Sequence, residues 1–456
     1  MKFEVTISPA EVVSRECAKI ELVCPGSTPS QLYVDFATFL RRVRRVSETT
    51  LDFLLVGAVV YAIDKLVLRS SADDHWTRSL EAVIPVREPE KWNSLSPVVN
   101  ECLGFLSGDE WQVSFFRRDR SPIRPKRRKR QQRLRVPFAH GKAACLFSGG
   151  LDSLVGAIDW LETHPTESLA VVGHHDPGIA GPLNDQENVL RAIYGPYRSR
   201  LSSVLLGVGQ SPGGPEISMR SRSLIFIALG IAVAHSLGDD TPLLIPENGT
   251  MALNPPLTPS RRGSCSTRTA HPYYLKTLQQ LLDGLGLKHR IENPLLGKTK
   301  GEVVSECRNL GLLRAAALES VSCAKRGHTV TWKNRTAKGC GRCMPCIYRR
   351  AALHKVGLDQ ELYGVDICQG DVDLSDRDSD AADDFRACIS FLLRNPSRSD
   401  LAKMLITSGP LDPLGILQHA DTISRAMNEI RTLLRDKATL EIRRLAGLGG
   451  GQSRAT

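Results

Sequence analysis

The sequence predicts an α/β fold built on a doubly wound parallel sheet, with a zinc site, an N-terminal α+β region and a C-terminal helical appendage. Three observations predict it. From Lys142 to about Gly357, strand-like and helix-like segments alternate, and such alternation requires crossovers between parallel strands. Near the start of that stretch, Ser148-Gly149-Gly150-Leu151-Asp152-Ser153 separates an apolar run from a helical pattern. Near its end lie Cys323, Cys340, Cys343 and Cys346, spaced as a metal centre.

The 456 residues suffice for two or three domains and a sizeable core. Residues 1–116 read as an independent α+β region. Lys2–Ser8, Lys19–Val23, Leu80–Val86 and Trp111–Phe116 are strand candidates, and Leu32–Val46 and Leu51–Leu68 carry helical patterns. No catalytic constellation occurs there, so partner docking is the expected role. Residues 117–141 read as a basic linker. Within it, 117–135 holds eleven Lys or Arg and one Asp, so nearly all of the net charge of +11 is local. Such a segment is either a solvated connector or an attractor of RNA, DNA or an acidic partner. Only Phe115 and Phe116 adjoin it, which gives no support to base stacking.

Residues 142–357 form the expected catalytic domain. Ala143–Phe147 is its first strand, and Leu154, Val155, Ile158 and Leu161 recur at helical spacing after the glycine turn. Leu169–Gly173 is an apolar strand ending in His174-His175-Asp176. Asp185–Tyr194 is a helix and Ser203–Val208 a strand. The long apolar helix Arg222–Leu237 precedes the strand Pro242–Ile245, which ends at Glu247-Asn248-Gly249. Tyr273–Leu285 is a helix, His289–Glu292 a short strand, and Thr299–Gly311 another helix. Ligands of such sheets gather at the carboxyl ends of strands, so the glycine loop, His174–Asp176 and Glu247–Gly249 are expected to share one cleft. Residues 358–384 read as an acidic linker. Its stretch 371–384 has seven Asp but lacks the glycine and terminal Glu of a calcium loop. Three helices are expected within Phe385–Leu445, including Ile423–Leu434, in a C-terminal region spanning 385–456.

Strand, glycine turn and helix start is a geometry that cradles phosphate, because glycine backbone N–H groups and the helix N-terminus face the anion. The spacing is not that of the Walker A loop. The alternative is an ordinary turn with Asp152 as helix cap. Four thiolates fit a closed tetrahedral zinc shell of structural type, with an iron–sulfur cluster as the rival. The other eight of the twelve cysteines are scattered and read as buried small hydrophobes. Met1–Val5 lacks the apolar segment of a signal peptide, and the apolar run Phe53–Ile63 is too short to span a bilayer. A cytoplasmic, thiol-reducing location without membrane contact is the expectation.

The loop resembles the SGGxDS loop of PP-loop ATP pyrophosphatases, a HUP-like fold group. Together with Ser221-Arg222-Ser223-Leu224, Gly297-Lys298-Thr299-Lys300-Gly301-Glu302 and Cys323…Cys340-Gly341-Arg342-Cys343-Met344-Pro345-Cys346, it resembles the QueC family of 7-cyano-7-deazaguanine synthases over residues 142–355. The resemblance implies an AMP-forming, ATP-dependent C–N ligase that uses Mg2+ and carries Zn2+. It implies that Phe147, Ser148, Gly149, Gly150, Leu151, Asp152 and Ser153 hold ATP, with Ser148, Asp152, Ser153, Arg222 and Lys298 in catalytic roles. Lys300 is the rival of Lys298. His174, with His175 beside it, and Glu247 are implied at the nucleotide or substrate. Departures concern Leu151, where the family usually has Gln, Arg220-Ser221-Arg222-Ser223 in place of Pro-Gly-Arg-Asn, and the altered segments 174–188 and 247–272.

Long QueC-like proteins with added terminal regions occur in Qat-type and some CBASS anti-phage operons, and this layout is similar to theirs. That implies activation of a 7-deazaguanine carboxylate and its transfer to an amine, on a partner protein encoded in the same operon. A homodimer is an allowed arrangement. A PP-loop amidotransferase or tRNA-modifying enzyme, and a degenerate nucleotide-binding scaffold, are the alternatives. No cysteine is placed for thiol transfer, which weighs against a tRNA thiolase.

Overall fold

A computed structural model describes residues 1–9, 18–35, 39, 43, 46–119, 141–258, 268–326, 329–375 and 382–449. In chain order the described strands are β1 (Lys2–Pro9), β2 (Ala18–Val23), β3 (Ser30–Val34), β4 (Ser79–Val86), β5 (Glu110–Arg117), β6 (Gly141–Leu146), β7 (Ser168–His175), β8 (Leu201–Ser211), β9 (Leu243–Leu244) and β10 (Ile291–Glu292). The helices are α1 (Glu48–Leu66), α2 (Pro89–Ser94), α3 (Ser96–Ser107), α4 (Leu151–Thr163), α5 (Pro182–Tyr197), α6 (Arg222–Leu237), α7 (Gly249–Leu253) and α8 (Pro272–Leu285). They continue as α9 (Lys300–Ser305), α10 (Leu310–Ala316), α11 (Met344–Lys355), α12 (Asp383–Arg394), α13 (Arg398–Ile406), α14 (Ile416–Lys437) and α15 (Leu440–Leu445). The chain divides into two compact units. One comprises 1–148, 160–246 and 267–293; the other comprises 149–159, 247–266 and 294–456.

The first unit holds a ten-stranded sheet in the order β10-β9-β6-β7-β8-β3-β2-β1-β4-β5. The five strands from β10 to β8 are mutually parallel. From β6 the chain winds outward through β7 and β8, then returns to place β9 and β10 on the other side of β6. The winding therefore reverses between β6 and β9, where doubly wound sheets place their ligands. The loop leaving β6 begins at that point.

The region 1–116 is not independent. Strand β3 pairs antiparallel with β8, Tyr33 opposite Gly209 and Val34 opposite Val208, so both regions share one sheet. The helical pattern expected from Leu32 thus begins as a strand. In Ser30–Val34 the alternate residues Ser30, Leu32 and Val34 are buried, a period of two that suits a sheet with one covered face. Much of Leu32–Val46 lies outside the described residues. Helix α1 explains why the regions merge. Thr50 to Asp64 are buried without interruption, as for a helix enclosed on every face. Ser47 caps it by accepting from the Thr50 N–H at 3.1 Å. It packs on α6, whose residues are also mostly buried. Sequence reading missed α2 and α3; α3 packs on α8 and β5.

Arg118, at the start of the basic segment, is a buried structural residue rather than part of a linker. Its Nε donates to Asp52 Oδ1 at 2.6 Å and its Nη2 pairs with Glu48. Residues 120–140 lie outside the described residues.

The second unit is helical. Helices α11 to α15 enclose an apolar core with Phe385, Phe391, Ile423, Ile430 and Leu434. Among the described residues four helices, not three, follow residue 382. The acidic linker is also corrected over its described part, since Val365, Ile367, Cys368 and Val372 join this core. Residues 376–381 of that stretch are outside the described residues. Thr299–Gly311 is not one helix: α9 ends at Ser305, and Asn309 caps α10 by accepting from the Leu312 N–H. Helix α11, unanticipated from sequence, carries two of the clustered cysteines' neighbours, Met344 and Ile347, into buried positions.

Candidate functional site

The glycine loop is held by short-range sequence features. Gly149 adopts φ +81°, a left-handed conformation that glycine takes without penalty. Its carbonyl accepts from the Val321 N–H at 2.9 Å, and the Leu151 N–H donates to Ser322 Oγ at 3.3 Å. Ser153 is buried and donates its hydroxyl to Gly150 O at 3.0 Å, so it braces the turn from inside. Ser148 is exposed, whereas Phe147 and Leu151 are buried.

Asp152 carries the charge of this loop. Lys300 Nζ lies 2.7 Å from its Oδ2, and Asn248 Nδ2 donates to the same oxygen at 2.8 Å. Both side chains of the ion pair are almost fully buried, Lys300 at 5% and Asp152 at 7% exposure. Asp152 Oδ1 is buried without a hydrogen-bond partner. Glu247 stands beside them. Burial first, and the Asp152 charge second, push its carboxyl up to about 8, against the opposing pull of Lys300. At neutral pH it is mostly protonated, so the cluster of two carboxyls and one lysine is near neutral.

Lysine 300 is placed here by local sequence. Thr299 and Glu302 form a reciprocal capping box: Thr299 Oγ1 accepts from the Glu302 N–H at 3.0 Å, and Glu302 accepts from the Thr299 N–H at 2.9 Å. That fixes Thr299 as the N-cap and Lys300 as the first helical residue. Lys298, on the other side of the cap, pairs instead with Glu306 at 2.9 Å and is partly exposed. The expected Lys298 is therefore not brought to the loop, and its rival is.

Arg222 and His174 belong to the first unit. The Arg222 Nε donates to His174 Nδ1 at 3.4 Å, and its Nη2 reaches His174 O at the same distance. His174 is completely buried, its ring edge-on to Tyr61. Burial, then the Arg222 charge, hold its imidazole well below the ordinary value, so it is neutral at physiological pH. Burial likewise lowers His175. Asp176 accepts from Tyr61 Oη at 3.1 Å and pairs with Lys65 Nζ at 2.5 Å. Just before Arg222, Asp64 Oδ2 accepts from Ser221 N at 2.9 Å and Ser221 Oγ at 2.7 Å. Helix α1 thus fixes the segments carrying both His174 and Arg222.

The four predicted cysteines converge. Their Sγ atoms all lie within 4.8 Å of one another, and Cys340 Sγ is 3.9 Å from Cys346 Sγ. A disulfide would hold sulfurs at about 2.05 Å. Tetrahedral zinc bonds of about 2.3 Å put sulfurs about 3.8 Å apart, so the spacing fits one ion. A polynuclear iron–sulfur cluster, with each thiolate on its own iron, needs a wider shell. Backbone N–H groups of Cys340 and Cys343 donate to Cys323 Sγ and Cys340 Sγ, each at 3.3 Å. Gly341 at φ +81° makes the turn, and a Cβ there would lie 2.1 Å from Val365 O. A zinc ion held by these four cysteines would supply a rigid node joining Cys323 to the 340–346 turn.

Comparison with known proteins bears on this geometry. Residues 270–357 match the family model described as queuosine biosynthesis protein QueC. A 7-cyano-7-deazaguanine synthase of Paracoccus denitrificans is 26% identical over 235 residues, which cover 49% of this chain and 85% of the relative. Residues 270–357 are QueC-like. The matched segment includes Lys300 and all four clustered cysteines.

Three site residues, Val321, Ser322 and Glu429, escaped sequence reading, as did the contact that Asn248, expected in the cleft, makes with Asp152. Asn248 caps α7 while donating to Asp152, and an Asn after a strand and before Gly-Thr is a readable cap signal. Ser322 and Val321 hold the loop from 171 and 172 residues away in sequence, and no local pattern encodes that. Glu429, which touches the start of α9, is equally remote.

No helix among the described residues is long and apolar enough to cross a membrane.

Proposed function

We propose that this chain uses ATP to activate the carboxylate of a 7-deazaguanine as an acyl-adenylate and passes the acyl group to an amine. A carboxylate oxygen attacks the α-phosphorus, the bond to the β-phosphate breaks, and pyrophosphate leaves. The amine nitrogen then attacks the acyl carbon, the carbon–oxygen bond breaks, and AMP leaves as a proton is released from nitrogen. The observation that carries the reading is the buried Lys300–Asp152 pair at the glycine loop of a QueC-like chain.

Lys300 supplies the cation where pyrophosphate charge develops, pre-oriented by Asp152, an arrangement that favours the transition state over the ground state. The loop backbone and Ser148 face the phosphates, while Ser153 keeps the turn in shape. A Mg2+ ion bound here would offset phosphate charge. Asp152 Oδ1, buried and without a hydrogen-bond partner, is the atom that would hold it. Glu247, protonated, is a hydrogen-bond donor for a ring nitrogen or carbonyl of the base.

We assign the amine to a partner protein in an anti-phage system. What supports this is the layout, since about half of the chain lies outside the segment similar to the relative.

The test measures nucleotide products with 7-carboxy-7-deazaguanine. AMP and pyrophosphate appearing only with that acid support the reading; ADP would sink it. Lys300→Ala is expected to slow pyrophosphate release about 10²–10³-fold, and Lys298→Ala to change it little.

A further inference from the structure

We propose that α14 is a positioning element for Lys300, and that Glu429 is the residue through which it acts. Helix α9 has only six residues, too few to set its own direction, since isolated helices much shorter than about 12 residues are marginal in water. Its orientation comes from outside: it packs on α11, and three residues of α14 hold its N-terminal turn.

Glu429 Oε1 accepts the Thr299 hydroxyl at 2.6 Å, and Glu429 Oε2 accepts from the Gly301 N–H at 3.1 Å. These two residues flank Lys300. Lys355 Nζ, from α11, pairs with the same carboxylate at 3.2 Å. Glu429 is largely buried, with 12% of its side chain exposed. The carboxylate lies close against position 301: a Cβ there would sit 2.3 Å from Glu429 Oε1 and displace it. Arg425, one turn earlier, donates from Nε to Glu302 Oε1 at 2.6 Å and from Nη2 to Gly297 O at 2.9 Å. Thr422 Oγ1 reaches Gly297 O at 3.4 Å.

The electrostatics agree with the geometry. Glu429 puts a carboxylate on the buried Gly301 N–H at a helix start, where the helix dipole favours negative charge. It also neutralises nothing on Lys300 itself, whose ammonium is committed to Asp152. Glu429 therefore orients the peptide units on both sides of Lys300 without competing for its charge. It is a positioning residue. The positional claim stands on these contacts; its consequence for turnover rests on the role proposed above for Lys300.

The test reads position directly. The full chain is treated with trace acetic anhydride, and acetylation of each lysine is quantified by mass spectrometry. Lys300, buried in its pair with Asp152, is protected in the native chain. Glu429→Ala is expected to raise Lys300 labelling about tenfold, the scale of a lost charge-assisted hydrogen bond, with labelling of Lys65 unchanged. Glu429→Gln, which keeps the acceptor for Thr299 and loses the one for Gly301, should fall between. If Glu429→Ala does not fold, the Gln variant alone decides. Unchanged Lys300 labelling in a folded variant overturns the proposal. In the pyrophosphate assay, Glu429→Ala in the Lys300→Ala background should add no further loss, whereas additive losses would show a merely structural role. Raised labelling with unaltered pyrophosphate release would leave the positioning standing and remove the function assigned to Lys300.

Discussion

Residues 1–116 and 383–449 flank the QueC-like segment, and they act on their neighbours by different physical means. The N-terminal region is joined through backbone: β3 adds to β8, and α1 is enclosed on all sides. Its polar contacts, Asp64 with Ser221 and Tyr61 and Lys65 with Asp176, lie within a shared core. The C-terminal region acts through side chains, Glu429 and Arg425 holding the N-terminal turn of one short helix. A ladder distributes its stabilisation over many bonds, and a buried carboxylate among arginines adds a large local dependence. A side-chain clamp concentrates its effect on one lysine. The N-terminal region should therefore matter most to stability, and the C-terminal one most to alignment.

The largest expected effect breaks the N-terminal side. Asp64 is fully buried, pairs with Arg78 at 2.5 Å, and accepts twice from Ser221. Asp64→Ala leaves Arg78 and Ser221 short of an acceptor, and should cost about 3–5 kcal/mol in a urea titration. A loss below about 1 kcal/mol would show that the two regions do not share a core.

A smaller effect concerns the carboxyls near Lys300. The Glu247 carboxyl is raised from 4.5 to about 8, so between those values the folded chain holds a proton that the unfolded chain lacks. Unfolding releases it, and this group's contribution to stability falls as pH rises through that window. Glu247→Gln should flatten the pH dependence of the urea midpoint between about pH 5 and pH 8. An identical slope in the variant would count against the assignment.

The smallest effect is expected at Arg425, whose side chain is 44% exposed. Arg425→Ala should lower stability by less than about 1 kcal/mol, with the difference shrinking in high salt. A larger loss would give the C-terminal clamp a stabilising role that the comparison denies it.

The alternating half of the fold was legible because each element carries its own period. Helix α6 was bounded correctly at Arg222 and Leu237, and the apolar strands β6 to β8 were found between turn residues. Strand β3 was misread because Leu32, Phe36 and Leu40 also satisfy a helical spacing, and the deciding partner, β8, is remote in sequence. The glycine loop and the four cysteines were legible for the opposite reason, as each is a dense local pattern. Choosing between Lys298 and Lys300 was within reach, since Thr299-x-x-Glu302 marks the cap. Glu429 was not: its partner lies 130 positions away, and a glutamate on an amphipathic helix looks like any solvated charge.

Strand β8 works as a lap joint. Its first seven residues, Leu201 to Gly207, register with β7, and its last four, Val208 to Ser211, register with β3. The two overlaps share no residue. Every pairing among β10, β9, β6, β7 and β8 is thus complete before β3 arrives, and lengthening one strand by a single turn of pleat is enough to receive five more. An enzyme sheet can be extended at such a splice without re-registering the strands that carry its loops.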